Sequence, residues 1–156
     1  MTPGADTFLA VQDLILRFWA IVDEIDDAPG AALFTESGAL VIEGFRAAGT
    51  EELTRYFAAR RALSAERRRC TRHLCTNLRV MPSRGLRLCA TITVFSGTGP
   101  RPMALGAPSS LADFSFDCVE TPGGWKFREI KGALVFAGAD TPDLTKAAAA
   151  AKGERV

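Results

Sequence analysis

The chain has 156 residues, of which 47% are hydrophobic and 8% aromatic, and this size and composition suffice for one domain with its own core. Its net charge is only +1, but residues 1–54 hold ten acids against two bases, whereas residues 55–87 hold ten arginines against one acid, Glu66. No run approaches the roughly 20 consecutive apolar residues of a membrane span, and the N-terminus lacks the features of a signal peptide. We therefore expect a cytoplasmic protein with no membrane partner.

The first predicted element is a long amphipathic helix over residues 7–26. Its apolar side chains recur at spacings of three and four, at Phe8, Val11, Ile15, Phe18, Val22 and Ile25. Asp6 or Thr7 can cap the N-terminus of this helix, and Pro29 with Gly30 ends the helical pattern. The helix therefore has one apolar face available for a core.

Shorter elements and a second helix follow. They are a short helix at Ala31–Thr35, a strand at Ala39–Glu43 and a turn between Gly44 and Gly49. Thr50 can then cap a second helix, because Glu51 and Glu52 place carboxylates at the positive end of its dipole. We expect this second helix to end near residues 61–64.

From residue 72 onward the hydrophobic period changes from 3.6 to 2, which indicates strands. The predicted strands are Arg72–Met81, Leu86–Phe95, Ser110–Glu120 and Trp125–Phe136. Turns rich in Pro and Gly join the first pair and the last pair, so the sheet should be largely an antiparallel meander. The loop at residues 96–109 is long enough to act as a lid over one end of the sheet, and the Ala- and Lys-rich tail is prone to fraying.

Helices that precede a run of strands indicate an α+β fold, in which the N-terminal helices pack on a curved, mostly antiparallel sheet. We predict a single domain over residues 7–137 and a C-terminal tail over residues 138–156. Because a twisted sheet curls away from a straight helix, a hollow should remain between them. Such a hollow is a natural site for a small ligand.

Several short motifs along the chain support a more specific assignment. They are Arg17–Asp26, Leu33–Thr35, Gly49, Arg72–Asn77 and Gly123–Phe127. Together they resemble the SnoaL-like group of the nuclear-transport-factor-two-like superfamily, whose members are cone-shaped α+β domains. The resemblance implies a pocket enclosed between helices and sheet. It does not imply one function, because the superfamily includes dehydratases, isomerases, polyketide cyclases, dioxygenase small subunits and proteins without catalysis.

His73 is the only histidine in the chain, and strand alternation places it on the same, more polar face as Asn77. A pocket histidine can take up and return a proton near neutral pH. Asp23 follows Trp19 by one helical turn and can point into the hollow, where its carboxylate would fix the tautomer of the imidazole. The resemblance implies the same roles, because scytalone and bile-acid dehydratases have a matching Asp and His. A purely structural role for His73 is the alternative.

The rest of the scytalone dehydratase site does not carry over. Its two pocket tyrosines would fall at Val22 and Gly44, and its second histidine would fall within Cys89–Thr91. The single tyrosine of this chain, Tyr56, lies in a predicted helix, where we assign it to core packing.

Other candidate ligand contacts are aromatic side chains and strand donors. Trp19 and Phe116 would give the hollow flat apolar surface, which suits an apolar ring-containing small molecule, with core packing as the alternative. Asn77, Thr91 and Arg128 are the donors on strands that could stabilise an enolate oxygen if they face inward.

Several site classes are disfavoured. The arginine-rich segment lacks interleaved aromatic residues, so we predict no nucleic-acid partner and expect it to face the acidic half or a partner subunit. Cys70 and Cys75 would point to opposite faces of a flat strand, which disfavours a zinc site with His73. No glycine-rich nucleotide motif or nucleophile elbow is present, so we expect neither a metal nor another cofactor. The four cysteines should be reduced thiols.

The preferred hypothesis is a cofactor-free lyase or isomerase of the dehydratase or cyclase type, with His73 and Asp23 as acid–base catalysts. The alternative is a non-catalytic ligand-binding protein or an accessory subunit of a ring-hydroxylating dioxygenase. Either function is compatible with a homodimer or higher homo-oligomer formed through the exposed sheet face.

Overall fold

The computed structural model describes residues 3–139, 141 and 144–154. In this part of the chain three α-helices lie against a six-stranded sheet. The helices are α1 (Ala5–Val22), α2 (Gly49–Arg67) and α3 (Thr145–Ala151), and the strands are β1 (Phe34–Ile42), β2 (Phe45–Ala48), β3 (Arg69–Met81), β4 (Leu86–Thr98), β5 (Ser110–Thr121) and β6 (Gly124–Ala137). None of these helices has the length and apolar character needed to cross a bilayer.

The sheet has the strand order β2-β1-β6-β5-β4-β3. Strands β3 to β6 form the predicted antiparallel meander. Strand β1 lies parallel to β6 on its other side, and β2 pairs antiparallel with β1. The sheet is therefore mixed but mostly antiparallel, and the predicted α+β fold is confirmed.

Phe18 fixes α1 to the inner face of the sheet. Its side chain is almost fully buried and makes edge contacts with Trp19, Phe34, Phe57 and Phe127, at ring-centroid distances between 4.8 and 6.2 Å. Such edge-to-face pairs add directional attraction to the burial of apolar area. This cluster joins α1 to β1, β6 and α2, and it sets the position of the last turn of α1 over the sheet.

Helix α1 is shorter than predicted at its C-terminus. It ends at Val22, and Asp23 is its C-cap, with the backbone N–H of Asp23 donating to the Trp19 carbonyl at 2.9 Å. Glu24 has φ +56°, which interrupts the helical path before residue 26. At the other end the N-cap is Gly4, and neither predicted cap has that position. The early stop leaves Asp23 free to use its side chain elsewhere.

The segment between Gly44 and Gly49 is a strand, not the predicted turn. The turn is tighter, because Gly44 has φ +80° and the chain reverses there, so that β2 pairs with the end of β1. The N-cap of α2 is Ala48 and not Thr50, and the carboxylate of Glu52 accepts the Ala48 N–H at 2.7 Å.

Other predicted boundaries also shift. The predicted short helix is a 3-10 helix at Gly30–Leu33, and β1 begins directly after it, five residues earlier than expected. Helix α2 continues to Arg67 and passes the predicted end near residues 61–64.

The C-terminal tail is packed where the structure describes it. Helix α3 buries Ala147 and Ala151 against the domain, and Lys152 forms an ion pair with Glu52 of α2 at 2.8 Å. The expectation of a frayed tail is therefore wrong for residues 144–152. The remaining tail residues 140, 142, 143, 155 and 156 lie outside the described part.

Candidate functional site

A cavity of about 450 Å³ lies between the helices and the concave face of the sheet. Its lining is mainly apolar, with Phe18, Val22, Leu40, Phe114 and Leu134 among its members. This size and this largely apolar lining are typical of small-molecule sites in proteins. The predicted hollow is therefore present, and α1, α2 and α3 all border it.

Asp23 and His73 meet at this cavity. The His73 Nδ1 lies 2.5 Å from Asp23 Oδ1, and the backbone N–H of His73 donates to Asp23 Oδ2 at 2.7 Å. The hydroxyl of Thr71 donates to Asp23 Oδ1 at 2.8 Å. The side chains are only 8% exposed for His73 and 4% for Asp23, so water competes little for these bonds. The sequence analysis predicted these two residues at one site, and the Asp23 carboxylate holds the His73 imidazole in a fixed orientation.

The protonation states follow from this environment. Burial alone would raise the pKa of Asp23, but the hydrogen bonds and charge of His73 hold that pKa below its ordinary value. Burial lowers the pKa of His73, and although Asp23 opposes this effect, the positive charges of Arg60 and Arg69 add to it. The pair is therefore an ionised carboxylate beside a neutral imidazole whose Nδ1–H donates to Asp23. This arrangement leaves Nε2 as the basic nitrogen.

Trp19 packs directly against the histidine ring. The two rings stack with centroids 4.7 Å apart and planes 15° from parallel. Trp19 also makes an edge-to-face contact with Phe114, with ring centroids 5.0 Å apart. The indole Nε1 of Trp19 is buried and has no hydrogen-bond partner among the described residues. Trp19 therefore fixes the imidazole plane and lines the cavity, as the sequence predicted for a ligand contact.

Strand β3 carries a β-bulge next to the site. Its pairing with β4 shifts register between Thr76 and Arg79, and Asn77 has φ +55°. Up to this point alternate residues such as His73 face inward, and beyond it Leu78 takes the inward side and packs on the core. Asn77 is exposed outside the cavity, although simple alternation predicted it on the His73 face.

The other predicted ligand contacts also lie away from the cavity. On the outer sheet face Thr91 donates to Asp113 at 3.3 Å, and Arg128 forms an ion pair with Asp117 at 2.8 Å. Phe116 is fully buried in the core and does not line the cavity. Of the predicted site residues, the structure brings together Asp23, His73 and Trp19 only.

Two cavity residues were missed by the sequence analysis. Tyr56 lines the cavity, is 2% exposed and stacks on Phe45 at 5.2 Å. Burial raises the pKa of Tyr56, an effect that the nearby Arg60 guanidinium only partly offsets, so the hydroxyl stays protonated. Arg60 lies within hydrogen-bonding range of that hydroxyl and also lines the cavity. The sequence feature that could have identified this pair is the i,i+4 spacing of Tyr56 and Arg60, which places both side chains on one face of α2.

The described residues include no group of three or more His, Cys, Asp or Glu side chains arranged to hold a metal ion. All four cysteines are free thiols, and burial raises the pKa of Cys118 to about 12. Among the described residues, His73, Tyr56, Arg60 and Glu43 are titratable groups that line the cavity, and Asp23 is hydrogen-bonded to His73.

The comparisons with known proteins agree with this architecture. The model of a family described as a SnoaL-like domain matches residues 5–131, a range that includes both Asp23 and His73. No protein of curated function matches the chain in sequence.

Solved structures of similar fold come from several bacteria. A protein of unknown function with a cystatin-like fold from Nostoc punctiforme is 21% identical with a TM-score of 0.71, over 89% of this chain and 98% of that one. An NTF2-like protein with a cystatin-like fold from Novosphingobium aromaticivorans is 20% identical with a TM-score of 0.68, over 89% and 88%. ActVI-ORFA from Streptomyces coelicolor is 16% identical with a TM-score of 0.68, over 86% and 100%. At these identities the similarity establishes the NTF2-like fold.

Proposed function

The chain belongs to the SnoaL-like domain family, and we propose that it is a cofactor-free lyase or isomerase that acts on an apolar ring-containing substrate. One observation carries the proposal: a neutral, buried imidazole is oriented by a carboxylate at the edge of an apolar cavity of about 450 Å³. A histidine that only packs in a core needs no cavity beside it, whereas a general base must reach a bound substrate.

The reaction begins with proton abstraction by His73. Its Nε2 takes a proton from the carbon next to a substrate carbonyl, and the electron pair of that C–H bond moves into an enolate. The Asp23 carboxylate stabilises the resulting imidazolium through Nδ1–H. The same proton then returns from Nε2, either to a leaving hydroxyl, which departs as water, or to a neighbouring carbon. The first outcome is a dehydration and the second an isomerisation.

Proton exchange tests this step without knowledge of the natural substrate. We expect the protein to accelerate exchange of the α-protons of a bicyclic ketone such as 2-tetralone with D2O, followed by NMR. His73→Gln should slow the catalysed exchange by at least about 100-fold, the usual contribution of general acid–base catalysis. Asp23→Asn should also slow it, because the carboxylate that stabilises the imidazolium is lost.

The matched control is Thr91→Val, which changes a strand residue of the outer sheet face. It should exchange at the wild-type rate. Equal rates for the wild type and His73→Gln, with both variants folded, would contradict the proposed catalytic role.

A non-catalytic ligand-binding protein is the second candidate. It is favoured by the position of Asn77, Thr91 and Arg128, which lie outside the cavity and leave few polar groups beside His73. A pure binder would take up apolar ring compounds, detected by calorimetry, and yet leave their α-proton exchange at the His73→Gln rate. The resemblance extends this candidate to an accessory subunit of a ring-hydroxylating dioxygenase, in which case a large iron-containing chain should co-purify.

We further propose a homodimer or higher homo-oligomer formed through the outer sheet face, in a cytoplasmic setting. The outer face carries charged and hydroxyl side chains such as Arg87, Thr91 and Asp117, which suit a polar, hydrogen-bonded interface. Size-exclusion chromatography with light scattering should give a mass of at least twice 16.7 kDa. A monomer mass would contradict this assembly.

A further inference from the structure

The α2 side of the cavity carries a positive charge that the catalytic proposal does not use. Arg60 lines the cavity next to Tyr56, and it also borders two neighbouring hollows, one of them beside Glu24 and Asp27. Even so, neither of these acids forms an ion pair with Arg60, and no other described carboxylate does. Within the described part of the chain this guanidinium therefore lacks a carboxylate partner at an apolar cavity, a chemistry that favours the binding of an anion.

Two buried polar atoms of residues that line the cavity also favour the binding of an anion. The Nε of Arg60 is buried without a hydrogen-bond acceptor in the described part of the chain, and so is the Nε1 of Trp19. Both are N–H donors, so a ligand satisfies them by supplying acceptors. Among the described residues that line the cavity, the one carboxylate is that of Glu43, and it already accepts the backbone N–H of Leu134.

Tyr56 extends this donor set. The Arg60 guanidinium is near its hydroxyl, and that hydroxyl stays protonated, so its O–H can donate to a ligand. A carboxylate offers two oxygens in one plane, which matches a guanidinium N–H on one oxygen and a phenol O–H on the other. Neutral ring compounds would leave the guanidinium charge uncompensated.

From these contacts we propose that the cavity selects apolar ring compounds that carry a carboxylate, with Arg60 and Tyr56 as the residues that bind the carboxylate. The inference names the substrate class of the proposed lyase or isomerase and rests on that function for the role of His73. It assigns the α2 side of the cavity to recognition and the α1–β3 side to proton transfer.

The test compares two probes of nearly equal shape, 2-naphthoate and 2-naphthamide, by isothermal titration calorimetry. The wild type should bind the carboxylate at least about tenfold more tightly than the amide, which corresponds to one charge-assisted hydrogen-bonded contact. Arg60→Gln should abolish this preference, because the affinity for the carboxylate falls to about that for the amide. A preference that persists in Arg60→Gln, or a wild type that binds both probes equally, would overturn the inference.

Arg61→Gln is the matched control, because it removes the same charge from the next residue of α2, which is exposed and does not line this cavity. It should keep the full preference. Arg60→Lys keeps the charge without the planar fork and should retain part of it. Unchanged amide binding in Arg61→Gln shows that loss of a positive charge from α2 leaves the cavity folded.

His73 provides a second readout because it is the only histidine and gives one imidazole Hε1 resonance. The groups that act on its pKa are Asp23, Arg60 and Arg69. Bound 2-naphthoate neutralises Arg60 and should raise the pKa of His73 above its value in the 2-naphthamide complex. In ligand-free Arg60→Gln the pKa of His73 should lie above its wild-type value, because the positive charge that lowers it is gone, and an unchanged pKa would contradict the position of Arg60 at this site.

The two proposals fail separately. His73→Gln should retain the preference for 2-naphthoate, because recognition does not involve the imidazole. Preference without catalysed α-proton exchange would leave the carboxylate site standing and remove the catalytic role. Catalysed exchange without a preference for 2-naphthoate would remove the carboxylate site and leave the catalytic role of His73 standing.

Discussion

The carboxylate of Asp23 connects the end of α1 to β3 through three hydrogen bonds, from the Thr71 hydroxyl, the His73 backbone and the His73 imidazole. Hydrogen bonds to a charged group contribute more to stability than neutral ones, roughly 1.5–3 kcal/mol each. The contact that orients the base therefore also holds the helix on the sheet. Protonation at the site and stability of the fold are coupled as a result.

This coupling predicts how stability depends on pH. Burial and the nearby arginines keep the pKa of His73 below 6.5, so the unfolded chain binds that proton more readily than the folded protein does. The free energy of unfolding should therefore fall as the pH is lowered through 6.5, and fall again below 3.8 because the folded pKa of Asp23 is also lowered. Urea denaturation at a series of pH values measures this dependence of the free energy of unfolding on pH.

His73→Gln is the internal control for the first of these steps. Since the chain has one histidine, the variant should lose the pH dependence near 6.5, and its fall below 3.8 should weaken because the imidazole that lowers the pKa of Asp23 is gone. If the wild type instead became more stable as the pH fell through 6.5, the imidazole would have to be protonated in the folded state.

At the scale of elements, local periodicity predicted most of the helices and strands. The 3.6-residue stripe identified α1, the alternation from residue 72 identified the meander, and the family resemblance paired Asp23 with His73. Periodicity could not show the bulge at Asn77, because an extra residue in a strand is set by the curvature of the paired sheet. It also missed β2, whose four residues are too few for an alternating pattern.

The end of α2 offers a prediction at this scale. Arg68 stops the helix in a left-handed conformation, with φ +51°, which glycine adopts without strain. Arg68→Gly should therefore raise the free energy of unfolding by about 0.5–1 kcal/mol in urea denaturation.

Arg67→Gly is its matched control, since Arg67 is an equally exposed arginine that still lies inside the helix. It should lower the free energy of unfolding by about 1 kcal/mol, because glycine is a poor helix former. Destabilisation by both substitutions would show that the left-handed turn at Arg68 does not hold in solution.

At the scale of the whole molecule, the cavity is closed by residues from both ends of the chain. Leu144, Thr145 and Ala148 complete the lining that α1 begins, while none of the described residues in the loop 99–109 contributes. The loop predicted as a lid over one end of the sheet therefore does not border this cavity. The alanine-rich composition of the tail did not predict the docking of α3. A run of alanines indicates neither burial nor exposure until the surface it packs on, in this case α2, is known.

Docking of α3 should therefore control access to the cavity. Ala147 is 1% exposed, and an ionised carboxylate cannot be buried there without a partner, so Ala147→Asp should displace α3 while the sheet stays folded. We expect 2-naphthamide affinity to fall at least about tenfold by calorimetry as the apolar cavity opens to water. Lys146→Asp, which puts the same acid on the exposed side of α3, should bind like the wild type. Unchanged affinity in Ala147→Asp would mean that α3 does not close the cavity.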